Sequence, residues 1–382
     1  MKGYNEKLFE TFYTYLSNNT YCQLKLDNDL ENANIFLMGE FHGVACNARI
    51  EYDLLKYFVI NAGVKYYVKE LGYNDARKLN EYLRTGDESI LKNLLKTYKN
   101  CYFATQENYK MWKAIYNFNK TLSNKNKIVV VGIDITDSSN EAIEYIYTCL
   151  PQKKIPSQIK YVIDELKNIY CCIKNKTKVS YDYYQFWSTY LISIDKYYDI
   201  YKQYFGSNFF DFYMISRNLI AKFKRRIDNL NAREIREQEL YENFMIQYKY
   251  YLKGNFFGVL GNAHIANGYN CVESFASRLN NNPTSYVRGK VITLLSLYKN
   301  CKSMTPYQGT YEKNNINSPM VINEIFNPFY KENEVLIKLN EKNTPFITKN
   351  MSQFKLPILK KFLTNNIQYC ILMNGAEASS PL

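Results

Sequence analysis

The residues best suited to chemistry are two histidines, the only ones in 382 residues, and the carboxylates close to them. His42 lies in "FLMGEFHGVA", two residues after Glu40, and His264 lies in "FFGVLGNAHIANG". A third apolar run, "KYYVKE", ends at Glu70. An imidazole oriented by a carboxylate can take a proton from water. Alternatively, the same four side chains can hold a divalent ion that acidifies its bound water. Both alternatives predict hydrolysis by activated water.

Strands are the elements that must bring these residues together. Short apolar runs bounded by Gly, Asn or Asp recur along the chain, and their continuous apolarity predicts strands buried on both faces. Helical patterns between them predict an α/β fold with a mostly parallel central sheet flanked by helices. Because ligands bind beyond the carboxyl ends of such strands, we expect one cleft there. The predicted strands are 34–39, 65–70, 127–134, 256–262, 290–297 and 368–375.

The predicted α/β core consists of residues 1–150 and 251–382. Between them, residues 151–250 contain no convincing strand and run through long tyrosine-rich helical patterns. This change predicts a large all-helical insertion, or cap, over the carboxyl edge of the sheet. Its aromatic residues recur at helical spacing, which indicates packing between helices rather than a cofactor site. The polar, Pro- and Asn-rich stretch 303–330 predicts a long surface loop.

Two further polar residues lie at the ends of predicted strands. Asp134 ends "KIVVVGID" and Asn262 follows "FFGVLG", so both are candidate supporting residues of the cleft. Asp134 has a structural alternative as the N-cap of a helix beginning in "DITDSSNEA". No G-x-S-x-G occurs, which leaves no candidate serine nucleophile. Cys46 is close enough to His42 in sequence to be considered as a thiolate.

Composition restricts the partners. The net charge is +13, but the lysines are scattered and the basic stretch 221–229 is followed by acidic residues within helical reach, so we expect no nucleic-acid partner. Nine irregularly spaced cysteines without a C-x-x-C predict a reducing compartment. No run approaches the ~18 apolar residues of a membrane span. We therefore expect a cytoplasmic protein with a small-molecule substrate and no membrane partner, and the oligomeric state stays open.

Several motifs occur in an informative order. "GEFHG", a strand ending at Glu70, "VGIDI" and "GNAHIA" follow one another. This order resembles the signature of the erythromycin esterase-like family, which belongs to a wider superfamily with Tiki-type proteases and ChaN-type haem-uptake proteins. "REQELYEN" at 236–243 resembles the family's helical R-D-x-x-M-A-x-N segment. "ILMNGAEASSPL" at 371–382 is similar to its closing strand and threonine/serine-proline tail.

The resemblance implies a hydrolase that cleaves an ester or lactone bond, with a role in antibiotic resistance as one expectation. Glu40, His42, Glu70 and His264 would line the active cleft, and His42 would be the general base. No cofactor is required by the residues themselves, but a divalent metal is a candidate at these same four side chains.

Three supporting residues are implied by the resemblance. Arg236 matches the family's arginine on the insertion helix and is an expected anion or oxyanion partner. Asp134 matches the acidic residue after the third strand. Arg49 lies on the helix after the first motif, where the family often has a basic residue.

One departure keeps alternatives open. The esterases usually show Glu-x-x-His in the first motif, whereas Glu40 and His42 are separated by one residue, closer to the ChaN and Tiki spacing. The alternatives to an esterase are therefore a haem- or metal-binding protein of the ChaN type and a Tiki-like metal-dependent protease.

Overall fold

The computed structural model describes residues 13–15, 27–99, 101–177, 183–251, 254–266, 272–307, 309–318, 320, 326–330, 333–340 and 367–382. The chain divides into two compact units. The first comprises residues 1–70, 78–131 and 245–382, and the second comprises residues 71–77 and 132–244. This division differs from the predicted boundaries at 150 and 250, which stay a prediction.

An eight-stranded sheet in the order β1-β9-β10-β6-β2-β5-β3-β4 forms the centre of the fold. β10 and β6, β6 and β2, β2 and β5, and β5 and β3 pair in parallel, whereas β1 and β10 pair with β9 antiparallel. The strands of the sheet are β1 (Tyr13–Tyr15), β2 (Ile35–Glu40), β3 (Val64–Gly72), β4 (Val129–Asp134), β5 (Asn255–Gly261), β6 (Val291–Lys299), β9 (Glu334–Lys338) and β10 (Tyr369–Asn374).

The predicted strands are confirmed, and so is the mostly parallel sheet. β2 and β10 are buried along their length until the last residue of each. Parallel strands are covered on both faces, which is why their sequences read as continuous apolar runs. β9 was not predicted, although its sequence is mostly apolar, because it is only five residues long. It lies next to β10 and carries Glu334, which pairs with Arg49.

The prediction of a long surface loop at 303–330 is wrong in its first half. β7 (Cys301–Tyr307) and β8 (Thr310–Ile316) form an antiparallel hairpin, with Gly309 at φ +80° in the turn. β8 is largely exposed, so its sequence lacks the alternation that identifies a strand. Of the predicted loop, residues 308, 319 and 321–325 lie outside the described residues.

Helices account for most of the remaining described chain, and none of them is long and apolar enough to cross a bilayer. Residues 157–251 are helical and contain no strand among those described, as predicted. Their placement over the sheet edge stays a prediction. The helices are α1 (Asp27–Leu30), α2 (Ala45–Asn61), α3 (Tyr73–Thr85), α4 (Glu88–Thr97), α5 (Gln106–Thr121), α6 (Ser139–Cys149), α7 (Ser157–Lys174), α8 (Tyr183–Lys196), α9 (Tyr198–Phe205), α10 (Phe209–Ile227), α11 (Ala232–Tyr251), α12 (Asn262–Ile265) and α13 (Phe275–Asn281).

Aromatic side chains build the core of the second unit. The rings of Phe205 and Phe212 stack at 3.8 Å between centroids, and Tyr201 stacks on Phe212 at 5.3 Å. All three are buried, as is Tyr190, whose hydroxyl hydrogen-bonds Ser216 Oγ at 2.6 Å. The tyrosine-rich pattern therefore records packing between helices, as the sequence indicated.

Candidate active site

The first acid–histidine pair lies where β2 ends. Glu40 is its last residue, and the side chain two positions later, His42, points back to it: His42 Nδ1 is 2.9 Å from Glu40 Oε1. His42 lies in the turn that follows the strand, and this turn brings its ring back to the Glu40 carboxylate. An ionised carboxylate only accepts hydrogen bonds. The Nδ1 therefore carries the proton and donates it to Glu40, which leaves Nε2 as a proton acceptor.

Buried partners fix the backbone of this turn. Phe41 N–H donates to the Tyr298 hydroxyl (2.9 Å), which donates in turn to Asn47 Oδ1 (3.1 Å), and Asn47 Nδ2 donates to the Phe41 carbonyl (2.8 Å). Gly43 has φ +82°, and a β-carbon there would lie 2.2 Å from the carbonyl oxygen of Met304. Only glycine fits a left-handed conformation this close to another backbone. The position of His42 is therefore set by its surroundings.

The second acid–histidine pair lies where β3 and β5 end. Glu70 Oε2 accepts a hydrogen bond from the backbone N–H of Gly261 (2.7 Å), and Glu70 Oε1 is 3.3 Å from His264 Nε2. The His264 side chain is 8% exposed, compared with 36% for His42. The first histidine is therefore accessible, whereas the second is a buried partner of Glu70.

Gly261 brings the two pairs together. A β-carbon at this residue would lie 3.2 Å from His42 Nε2 and 3.6 Å from Glu70 Oε2, so both groups flank the same point. Burial lowers the pKa of His42, but the hydrogen bond to Glu40 and the charge of Glu70 outweigh it, and the pKa of His42 is raised overall. The four predicted residues thus converge on one cluster at the carboxyl ends of β2, β3 and β5.

An aromatic side chain that the sequence analysis missed lies beside this cluster. The ring of Tyr102 is 5.4 Å from that of His42, tilted by 33°. Tyr102 lies in the short segment before α5, far from any strand end, and a single tyrosine among the 38 of this chain carries no sequence signal.

A buried ion pair behind the cluster was also missed. Glu51 on α2 accepts hydrogen bonds from Lys69 Nζ and from the Tyr67 hydroxyl, both on β3. Burial raises the pKa of Glu51 to about 7, against the opposing effect of Lys69. A sequence signal did exist, because Glu51 occupies the buried face of α2 one turn after Asn47, where an apolar residue is expected.

Asp134 and Arg236 pair with each other in the second unit. Arg236 Nε donates to Asp134 Oδ1 at 3.0 Å, and Arg236 Nη2 donates to Asp134 Oδ2. Asp134 does not cap the following helix, because the side chain of Ser138 accepts the hydrogen bond from Glu141 N–H. The capping alternative is therefore wrong, and a role of this pair in the cleft stays a prediction.

The other candidates have structural contacts. Asn262 Nδ2 donates to the Ser296 carbonyl (2.9 Å) and ties the end of β5 to β6. Arg49 Nη1 contacts Asp53 (3.4 Å), and Arg49 also pairs with Glu334. Burial strongly raises the pKa of the Cys46 thiol. The thiolate considered from the sequence is therefore disfavoured.

A divalent ion at the four residues of the cluster stays a prediction. Across the described part of the chain, no group of three or more His, Cys, Asp or Glu side chains is placed to hold one. Each histidine of the cluster is instead directed at a carboxylate, at 2.9 Å in one pair and 3.3 Å in the other.

Solved structures with the same fold provide an independent comparison, whereas no family model and no curated protein matches the sequence. A protein from Bacillus cereus has a TM-score of 0.73 at 16% identity, with all of both chains covered. A succinoglycan biosynthesis protein has a TM-score of 0.73 at 16% identity, covering 98% of this chain and 97% of the other. A mutant erythromycin esterase in its open conformation has a TM-score of 0.69 at 14% identity, covering 97% and 98%.

These similarities extend over nearly the whole chain and concern the fold. The chain has the fold of these three solved structures, one of which is an erythromycin esterase. The fold that the sequence motifs implied is therefore confirmed.

Proposed function

We propose that this protein is a hydrolase that cleaves an ester or lactone bond with water activated by His42. The observation that carries the proposal is the Glu40–His42 pair. Its carboxylate holds the proton on Nδ1 at 2.9 Å, and its imidazole is the accessible one of the two. This arrangement is the one a general base requires.

The chemical steps follow from the protonation states. His42 Nε2 takes a proton from water as the water oxygen attacks the carbonyl carbon, forming a tetrahedral intermediate. The intermediate collapses, the bond to the alkoxide oxygen breaks, and the imidazolium returns its proton to that oxygen. The products are a carboxylic acid and an alcohol.

The carboxylates stabilise the imidazolium between these two steps. Glu40 is hydrogen-bonded to it, and the negative charge of Glu70 also favours the protonated form. Glu70 is itself fixed by the Gly261 N–H and by His264, so its charge is held in place before the reaction begins. Asp134, Arg236, Arg49 and Asn262 are proposed as supporting residues only.

The bond class comes from the fold comparison. One solved structure with this fold is an erythromycin esterase, and its name is the support for an ester or lactone substrate here. We propose a small-molecule substrate, no nucleic-acid or membrane partner, and a cytoplasmic location. If the substrate is a macrolide lactone, the proposed biological role is antibiotic resistance.

A screen for turnover tests the proposal. Wild-type protein and His42→Ala are assayed on a panel of aryl esters, alkyl esters and macrolactones, with circular dichroism to monitor folding. Tyr286→Ala is the matched control, because Tyr286 is an exposed aromatic residue in the segment before β6, at the amino ends of the parallel strands. We expect wild type and the control to hydrolyse at least one substrate, and His42→Ala to lose a factor of about 10² to 10⁴.

Two results would contradict the proposal. One is a folded His42→Ala protein with wild-type turnover, which removes His42 as the base. The other is a wild-type protein that hydrolyses nothing on the panel but binds haemin in a 1:1 ratio through His42. That result would favour the haem-binding alternative.

A further inference from the structure

The last residues of the chain form a segment, here called the tail (residues 376–382), that runs beside the turn carrying His42. Ser379 N–H donates to the Gly43 carbonyl at 2.8 Å, and Ala45 N–H donates to the Glu377 carbonyl at 2.9 Å. Val44 and Ala378 are paired across these two hydrogen bonds as an antiparallel bridge. The tail therefore acts as a short strand along the His42 turn.

The same tail continues along the segment that carries Tyr102. Gln106 N–H donates to the Ser380 carbonyl (2.9 Å), and Leu382 N–H donates to the Ala104 carbonyl (3.1 Å). Ser380 N–H donates to the side chain of Glu107 at 3.0 Å, in the first turn of α5. The tail is thus hydrogen-bonded on one side to the His42 turn and on the other to the Tyr102 segment.

The two segments that the tail joins carry His42, the proposed base, and Tyr102. His42 and Tyr102 face each other at 5.4 Å between ring centroids. The tail hydrogen-bonds backbone close to each ring. On one side it contacts Gly43, one residue after His42, and on the other it contacts Ala104, two residues after Tyr102. The tail is therefore hydrogen-bonded to backbone next to both rings, and at the Gly43 carbonyl it shares this role with the Met304 N–H, which donates there at 2.8 Å.

We propose that residues 376–382 are a positioning segment that sets the separation of His42 and Tyr102, and that the Tyr102 ring forms one wall of the substrate site. The second half of this inference rests on the proposed function. An aromatic face next to the general base offers apolar contact to the substrate group adjoining the scissile bond. Loosening the tail widens the site, so KM rises more than kcat falls.

The low histidine content makes the ring separation measurable without a substrate. The histidine ring signals in a proton NMR spectrum of this protein come from two residues only. A neighbouring aromatic ring changes the chemical shift of such signals. Tyr102→Leu removes the ring next to His42 and so assigns the signals and gives the full size of the effect. The signals of His264, which contacts Glu70, report whether the fold around β5 is intact.

The decisive variants differ by one hydrogen-bond donor. Ser379→Pro removes the N–H that donates to Gly43, whereas Ser379→Ala keeps it and is the matched control. We expect the His42 signals of Ser379→Pro to move at least half of the way to their positions in Tyr102→Leu. Those of Ser379→Ala should stay at the wild-type positions. A folded Ser379→Pro protein with wild-type His42 signals overturns the proposal.

A second variant covers the case in which proline prevents folding. Glu107→Ala removes the acceptor of Ser380 N–H on the Tyr102 side and leaves the His42 side unchanged. We expect a smaller movement of the His42 signals in the same direction, and unchanged signals overturn the positioning role.

Kinetics on a substrate from the screen tests the second half separately. A rise in KM with kcat nearly unchanged in Ser379→Pro and Tyr102→Leu supports the wall, and unchanged KM in both overturns it. If the NMR signals move but the wild type has no turnover, the positioning role stands and the proposed function fails.

Discussion

Glu40 and Asp134 are both the last residue of a strand of the sheet, and they have different partners in the two units. In the first unit Glu40 is hydrogen-bonded to His42, whose side chain is 36% exposed. In the second unit Asp134 is held by Arg236 through two guanidinium nitrogens, and the Asp134 side chain is 9% exposed. The two carboxylates look alike in the sequence, because each ends an apolar run.

The difference lies in what each pair can do. An imidazole exchanges its proton near neutral pH, so the first pair can transfer one. A guanidinium keeps its proton under all ordinary conditions, so the second pair can hold a charge or an anion but cannot act as a base. The comparison predicts that substitutions in the first pair change turnover, whereas substitutions in the second change stability.

The largest expected effect comes from the two acid–histidine pairs acting as a unit. We expect His42→Gln and Glu70→Gln each to lower kcat by a factor of about 10² to 10⁴, and the double variant to be no worse than His42→Gln alone. If both residues serve the same proton transfer, the first substitution already abolishes it, and the second adds no further loss. Steady-state kinetics of the three variants checks this, and multiplicative losses would show that Glu70 acts independently of His42.

The second effect is on stability. Arg236→Met leaves the Asp134 carboxylate without its guanidinium partner, and we expect the free energy of unfolding to fall by about 2 kcal/mol. Arg226→Met, at an exposed position of α10, is the matched control and should cost less than about 0.5 kcal/mol. Urea denaturation measures both. Equal free energies of unfolding for the two variants would contradict a stabilising role of the Asp134–Arg236 pair.

A smaller effect is expected at Gly261. Its φ of −57° and ψ of 144° suit alanine, so Gly261→Ala should fold normally. The new methyl group would lie 3.2 Å from His42 Nε2 and displace the imidazole by a few tenths of an ångström. We expect kcat to fall by about tenfold. Unchanged kinetics, with unchanged stability, would mean that Nε2 is not directed at this point.

The smallest effect is a shift of the pH profile. The pKa of His42 is raised by Glu40 and Glu70 against the effect of burial, and a base must be neutral, so turnover should rise with pH through this raised pKa. In Glu40→Gln the pKa of His42 should fall and the profile should move to lower pH. Histidine NMR titration and kcat/KM against pH check both shifts, and an unmoved profile would contradict the role of Glu40.

Stability should depend on the same group in the opposite sense. Because the pKa of His42 is higher in the folded than in the unfolded chain, its protonated form stabilises the folded state. That contribution is complete at pH values below the unfolded pKa of about 6.5 and is lost as the pH rises through the folded value. Turnover and this share of stability therefore change in opposite directions with pH.

The sequence predicted the central strands because burial on both faces leaves a continuous apolar run. It failed for β8, whose exposed faces impose no pattern, and for β9, a short antiparallel strand at the edge. The strand order β6-β2-β5-β3 also could not be predicted from periodicity. A continuous apolar run indicates that a strand is buried, but it does not indicate which strand pairs with it.

For the candidate site, the sequence by itself determined the four residues Glu40, His42, Glu70 and His264, because polar groups at the ends of parallel strands must meet at one edge. The hydrogen bond between Glu40 and His42 was not predicted, because His42 lies in the turn after β2 and the conformation of that turn is not encoded by the spacing. Only the tertiary structure decided that Tyr102 and the tail adjoin His42 and that Glu51 pairs with Lys69. These contacts join distant segments through hydrogen bonds and packing, and no local pattern of residues encodes the path that brings such segments together.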